Sequence, residues 1–220
     1  MTDTEVVHDP YRHGTARRTL FGYETKDHPR LDRIQNGISA ICASIAGLAV
    51  VLIVILTVAE VVTRTLFNHP LGWNVGFVEQ YLMVAIAFFG TVTAYRAGAH
   101  IAVATVFNAF PGPVRKAILL CVHLIVLAGL LLLVFGGGRA AAFSLSIHEA
   151  PPPGMAELPW PTWWWKSIIP VAATLGAIVV AIDAVRELTS PWSAPSTDYE
   201  PGDPNADGDP FAHNRPGAES

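Results

Sequence analysis

Charge is scarce in this chain. Asp, Glu, Lys and Arg make up 15% of its 220 residues while hydrophobic residues reach 51%, against about 25% charged in an average soluble domain. A mean hydropathy of +0.39 goes with that shortage and excludes an ordinary soluble domain. Cysteine is scarcer still. Cys42 and Cys121 are the two present, each inside an apolar run, which argues against a disulfide framework and fits packing. Also missing are a nucleotide-binding glycine loop, a nucleophile triad, a metal-ligand cluster and a basic nucleic-acid patch. Near the start there is no short apolar core followed by a small-residue cleavage site, so no cleaved signal peptide is expected. Haem held between two histidines needs two of them deep in a bundle, and His123 is the only histidine well inside an apolar run.

What the chain does have is long apolar runs. They cover about 38–62, 75–95, 117–138 and 166–185, each close to the roughly 20 residues an α-helix needs to cross the hydrocarbon of a bilayer. The expected fold is therefore an all-α integral membrane protein with four transmembrane helices. Gly136, Gly137 and Gly138 mark a place where the third helix is expected to loosen or bend. Between the second and third runs, Val103, Val106, Phe107 and Phe110 fall at helical spacing. They predict a short helix lying in the interface plane, closed by Pro111 and Pro113.

The organisation expected is threefold: a polar, basic segment over 1–33, a four-helix membrane domain over 34–189 and a tail over 190–220. Pro, Gly, Asp, Asn and Ser dominate the tail, a composition that favours disorder. Arg12, Arg17, Arg18, Lys26, Arg30 and Arg33 give the first segment six of the fourteen basic residues. With that segment cytoplasmic, Arg96, Arg115, Lys116 and Arg186 fall on the same side, leaving Arg64, Arg139 and Lys166 at the other. Both termini are then expected in the cytoplasm.

The few polar residues near span ends are the candidate functional positions. Glu60 and Arg64, four apart with the acid first, are spaced for a helical ion pair. Asn68 and Pro70 favour a tight outer turn, with Trp73 as its aromatic anchor. Glu79 enters the second span and wants a partner, either Arg64 or a group on another subunit, unless outer water solvates it. Arg96 closes that span, facing a lipid phosphate, a partner carboxylate or simply the basic inner surface. His100 is placed to cap the interfacial helix, to bond across subunits or to be solvated. Trp163, Trp164 and Trp165 follow the proline-rich connection 143–162 and read as an interfacial belt, with contact to an outer partner as a further role. Glu60, Glu79 and Asp183 all lie near span ends and the halves show no repeat, whereas transport sites show deep ionisable groups or paired broken helices. The pattern favours a scaffold. An autonomous small tetraspan transporter or channel is the alternative.

Two stretches carry a family resemblance. RTLFNHPLGW, beginning at Arg64, resembles an Arg-aromatic-x-Phe-Asn-x-Pro-x-x-Trp element, and FFGTVTAYRAGAHIAV resembles a Phe-Leu-Gly core leading through Arg to Gly-x-His-Ile and Val. Both belong to the small membrane subunits of tripartite ATP-independent periplasmic (TRAP) transporters, the DctQ family. Thr65, the late Glu79 and Ala104 depart from that pattern. The resemblance implies a non-enzymatic small permease of the bacterial inner membrane, without a cofactor of its own. It further implies a large permease subunit that binds substrate and sodium, a periplasmic solute-binding protein, and ion-gradient-driven uptake of a small organic-acid solute. Candidate subunit-interface or membrane-anchor residues are then Arg64, Asn68, Trp73, Glu79, Arg96, His100, Trp163, Trp164 and Trp165.

Overall fold

A computed structural model describes residues 6–7, 16–19, 22–24, 29–96, 111–150 and 160–189. Four helices dominate: α1 (Pro29–Leu66), α2 (Asn74–Arg96), α3 (Gly112–Ser146) and α4 (Trp163–Thr189). Each is long and apolar enough to cross a membrane, as the hydropathy pattern requires. Ahead of them three short strands, β1 (Val6–Val7), β2 (Ala16–Thr19) and β3 (Gly22–Glu24), form an antiparallel ladder with Val6 opposite Arg17 and Arg18 opposite Tyr23. Val, Thr and Tyr favour extended backbone, a local preference the reading of 1–33 as one polar segment passed over.

The helices outrun the apolar cores that announced them. Helix α1 has 38 residues, so it is about 57 Å long against a hydrocarbon thickness of about 30 Å. It starts on Pro29, whose missing N–H costs nothing at a helix start, and carries Asp32 in its first turn, where the helix dipole favours an acid. Helix α2 contains one π turn, Val78–Leu82, just after its start. Helix α3 opens with Pro111 in extended geometry before it and Pro113 in its first turn. The two prolines thus start a helix rather than only closing one. It then runs unbroken through Gly136, Gly137 and Gly138 to Ser146, without the expected loosening.

One glycine of the three marks a close helix contact. A Cβ at Gly137 would stand 3.0 Å from Cδ of Pro170 on α4, and one at Gly176 would stand 3.2 Å from a Val92 methyl on α2. Small residues let the backbones approach, which is how apolar helices gain contact in lipid. Helix α4 is the centre of the bundle: it packs along α3 and against α2, and meets α1 chiefly near the end where the chain enters. The core lies between α1, α2 and α4, around Cys42, Ala49, Leu82, Ala85, Phe89, Val92, Ala172 and Val179.

Outward faces are apolar. Leu48, Val51, Ile55 and Val58 on α1 and Leu124, Ile125, Leu132 and Phe135 on α3 are exposed in the isolated chain. Such a surface belongs in lipid or against another membrane protein. The hydroxyls agree. Ser44, Thr57, Thr63, Thr91, Thr93, Ser167, Thr174 and Thr189 each donate to a carbonyl of their own helix four residues back, which satisfies a polar group where water is absent. The interfacial helix expected between spans two and three falls on 97–110, outside the described residues.

Candidate functional site

Polar side chains gather at the two ends of the bundle. At the end where the chain enters, α1 presents Asp32, Gln35, Asn36 and Ser39, spaced i, i+3, i+4 and i+7 and so on one face. Opposite them arrive Arg96 from the last turn of α2 and Asp183 and Arg186 from α4. One oxygen, Asp32 Oδ1, accepts from Arg96 Nη2 at 2.9 Å and from Arg186 Nη1 at 2.7 Å. Arg96 Nε also donates to Asn36 Oδ1 at 3.1 Å, and Gln35 Nε2 donates to Asp183 Oδ1 at 2.8 Å and to the Val179 carbonyl at 3.0 Å. Asp183 Oδ1 lies 3.8 Å from Arg96 Nη1 and 3.9 Å from Arg186 Nη1. Two carboxylates and two guanidiniums thus come together here. Asp32 is 0% exposed, Arg96 1% and Arg186 3%, so each charge depends on the others for what water would otherwise supply. Lys116 and Glu187 are buried as well.

The neighbouring helix contacts reinforce this end. Thr93 Oγ1 donates across to the Ser39 carbonyl at 3.2 Å. His123 places Nδ1 2.6 Å from the Leu119 carbonyl, which can only accept, so the proton sits on Nδ1 and the ring is tied to its own helix.

At the opposite end, the turn after α1 is built as its residues suggest. Asn68 takes φ 53° and Gly72 φ 70°, the left-handed region that Asn tolerates and Gly enters freely. Glu60 does not pair with Arg64. Its carboxylate turns instead to the Leu71 N–H at 2.9 Å, closing the turn back onto α1; a backbone donor fixed by the turn needs less side-chain ordering than a mobile surface arginine. Arg64 and Glu79 are exposed, and no ion pair joins them among the described residues.

Aromatic rings link the turn to α4. Trp73 meets Phe77 edge-on at 6.1 Å; Phe77 meets Tyr81 and Trp160, both at 5.3 Å; Tyr81 meets Trp160 at 5.8 Å, and Trp160 stacks on Trp164 at 6.1 Å. Trp163 adds an edge contact to Trp164, and Lys166 lies 5.6 Å from the Trp165 ring centre. These tryptophans are thus a packed ladder as well as amphipathic rings of the kind found at membrane surfaces. Trp160, unmarked in the sequence reading, is its hinge. Beside it, Lys166 donates to Glu149, just past α3, and this contact lowers the Glu149 carboxyl from its usual range.

Of the candidates marked from sequence, Asn68 and Trp73 share the outer turn and Trp163 and Trp164 join the aromatic ladder. Arg96 is buried in an intramolecular network rather than turned toward lipid or solvent. His100 lies outside the described residues. The network's other members were missed, although the polar spacing at 32, 35, 36 and 39 on the first turns of a membrane helix was the signal for an inward polar face.

Four long apolar helices with polar ends define a multi-pass membrane protein. Within it, residues 53–190 match the family model described as tripartite ATP-independent periplasmic transporters, DctQ component. The match takes in well over half of the chain, which belongs to this family of small TRAP permease subunits. No curated protein and no solved structure matches the chain. The matched stretch holds Arg96, Asp183 and Arg186, whereas Asp32 and Gln35 precede it.

Proposed function

We infer that this chain acts as a scaffold: a non-catalytic subunit that supports a large permease during uptake of a small organic-acid solute driven by an ion gradient. The observation that carries the reading, beside the family match, is where the polar groups lie. Among the described residues, the acids and arginines lie toward the ends of the helices, His123 being the titratable group set deeper, and Asp32, Arg96, Asp183 and Arg186 at the entry end pair with one another. A pathway for a charged solute calls for polar groups at mid-membrane depth. Sodium and substrate binding are assigned to the large subunit, and capture of the solute to a soluble periplasmic protein.

Orientation follows from charge. The basic amino-terminal segment and the Arg115–Lys116 pair support a reading with the network end on the cytoplasmic side of a bacterial inner membrane and both termini on that side. The aromatic ladder, Arg64 and Glu79 then face the periplasm, where the binding protein approaches.

Reconstitution into proteoliposomes tests the reading. With its large subunit and binding protein, the chain should support solute uptake under an imposed sodium gradient; alone, it should support none. Gradient-driven uptake by this chain alone would replace the scaffold with an autonomous transporter.

A further inference from the structure

We propose that the outward stripe of α3 is a docking face for a transmembrane helix of the large permease subunit, one that brings a carboxylate to Arg139. The proposal rests on the scaffold reading and adds where the partner sits. Helix α3 is the least covered of the four spans: 6% of its apolar core is buried within the chain, against 39% of that of α4. Ile125, Leu132 and Arg139 stand at intervals of seven, with Gly129 and Gly136 between them, and all five are exposed. Alternating steps of three and four residues put them in one stripe along the helix. Nothing lies within 4 Å of a Cβ at Gly129 or Gly136, so another backbone can come close there, which is how helices associate in lipid.

Arg139 decides what covers the stripe. Among the described residues no acid pairs with it, and its guanidinium rests 5.5 Å from the centre of the Phe135 ring. Its depth follows from the neighbouring helix. Gly137 packs on Pro170, and Pro170 lies about 9 Å past Trp164 by helical rise, so Arg139, two residues back toward the tryptophans, has its Cα about 6 Å inward of them. Helix α3 runs toward that aromatic end, and helical side chains lean toward the start of their own helix. The guanidinium therefore leans inward onto Phe135, away from the headgroups of the nearer surface. Facing lipid chains at that depth is unfavourable for a cation. A carboxylate on an adjoining helix meets it where it stands, in a low dielectric that strengthens the pair. The exposed face of α1 differs: from Leu48 to Val58 it carries no charge, and lipid suits it.

Cross-linking and affinity test the face together. The full chain is co-expressed with its large subunit and the complex purified in mild detergent. Benzoylphenylalanine placed at Leu132 should photo-cross-link the large subunit, and the same group at Ile55 on α1 should not. Arg139→Gln and Gly136→Val should each raise the dissociation constant of the two purified subunits by about tenfold or more, while Arg139→Lys keeps most of the affinity. Thermal unfolding of the free chain should move little in these variants, because neither side chain meets a partner helix within the chain; a large drop would make them fold defects and overturn the docking face. Parent-level affinity in Arg139→Gln overturns it too, as does cross-linking of the large subunit from Ile55 alone, and both leave the scaffold reading standing. Cross-linking from Leu132 to lipid alone, in an intact complex, assigns the stripe to the bilayer and overturns the proposal. Absence of any complex with the parent chain is a different result: it removes the scaffold itself, and the docking face with it.

Discussion

Asp32 and Arg186 stand 154 positions apart in the chain, yet the Arg186 guanidinium donates to the Asp32 carboxylate at 2.7 Å in the buried end of the bundle. The pair joins the first turn of the first membrane helix to the last turns of the fourth. It brings the two ends of the membrane domain together on one side. A buried ion pair is weak evidence for net stability, since an apolar pair of like volume can do as well, but breaking one is expensive.

Arg96 supplies the first prediction. Replacing it with Met removes a donor to both Asp32 and Asn36 while Arg186 still donates to Asp32. The expected loss is about 3 kcal/mol of unfolding free energy, the low end for a broken buried pair because one partner survives. Reversible unfolding in mixed micelles measures it, and a loss below about 1 kcal/mol would place Arg96 among solvated charges.

Two adjacent glycines give a sharper contrast. A Cβ at Gly137 would stand 3.0 Å from Cδ of Pro170, whereas nothing lies within 4 Å of one at Gly136. Gly137→Val should destabilise the α3–α4 contact by about 1–3 kcal/mol, while Gly136→Val should be nearly silent. The same unfolding assay compares them. Equal effects would mean that the glycines act through backbone freedom instead of close approach.

The outer turn depends on backbone sign. Asn68 holds φ 53°, so Asn68→Gly should be nearly neutral, and Asn68→Val should cost about 1–2 kcal/mol for a branched side chain in left-handed geometry. Thermal unfolding of the three proteins orders them, and Val ranking level with Gly would contradict the turn.

Glu149 should titrate below the usual carboxylate range because Lys166 stabilises its charged form. A depressed folded-state pKa contributes stability that is present above the ordinary carboxylate pKa and lost as pH falls through the lowered value. Lys166→Ala should return the carboxyl toward its ordinary range in a carbon-13 NMR titration of labelled glutamate. An unchanged midpoint would dissociate the two residues.

The sequence made some of this legible and hid the rest for physical reasons. The spans were readable because hydrocarbon thickness imposes a run length, and the Asn68 to Trp73 turn because Asn, Pro and Gly carry their conformational preferences locally. The helix ends were not, since apolar runs stop where water begins while helical hydrogen bonding continues: α1 starts at Pro29 and α3 runs on to Ser146. Sequence leaves Arg96 between a lipid phosphate, a carboxylate on a partner and the basic inner surface, because the acid it meets within its own chain lies 64 residues away in a segment that is polar and basic by composition. Glu60 illustrates the limit of helical spacing: Arg64 stood at the right interval, but a backbone N–H across the turn offered the better partner.

Co-purification tests the central claim most directly. The carboxyl terminus is tagged at native expression level, membranes are extracted in mild detergent, and stoichiometric partners are identified by mass spectrometry. A small TRAP subunit acting as scaffold should bring down a large polytopic membrane protein in equal amount, and gradient-driven uptake should disappear when either is deleted. Recovery of this chain alone, folded and monodisperse, with uptake intact after loss of any such partner, would contradict the scaffold.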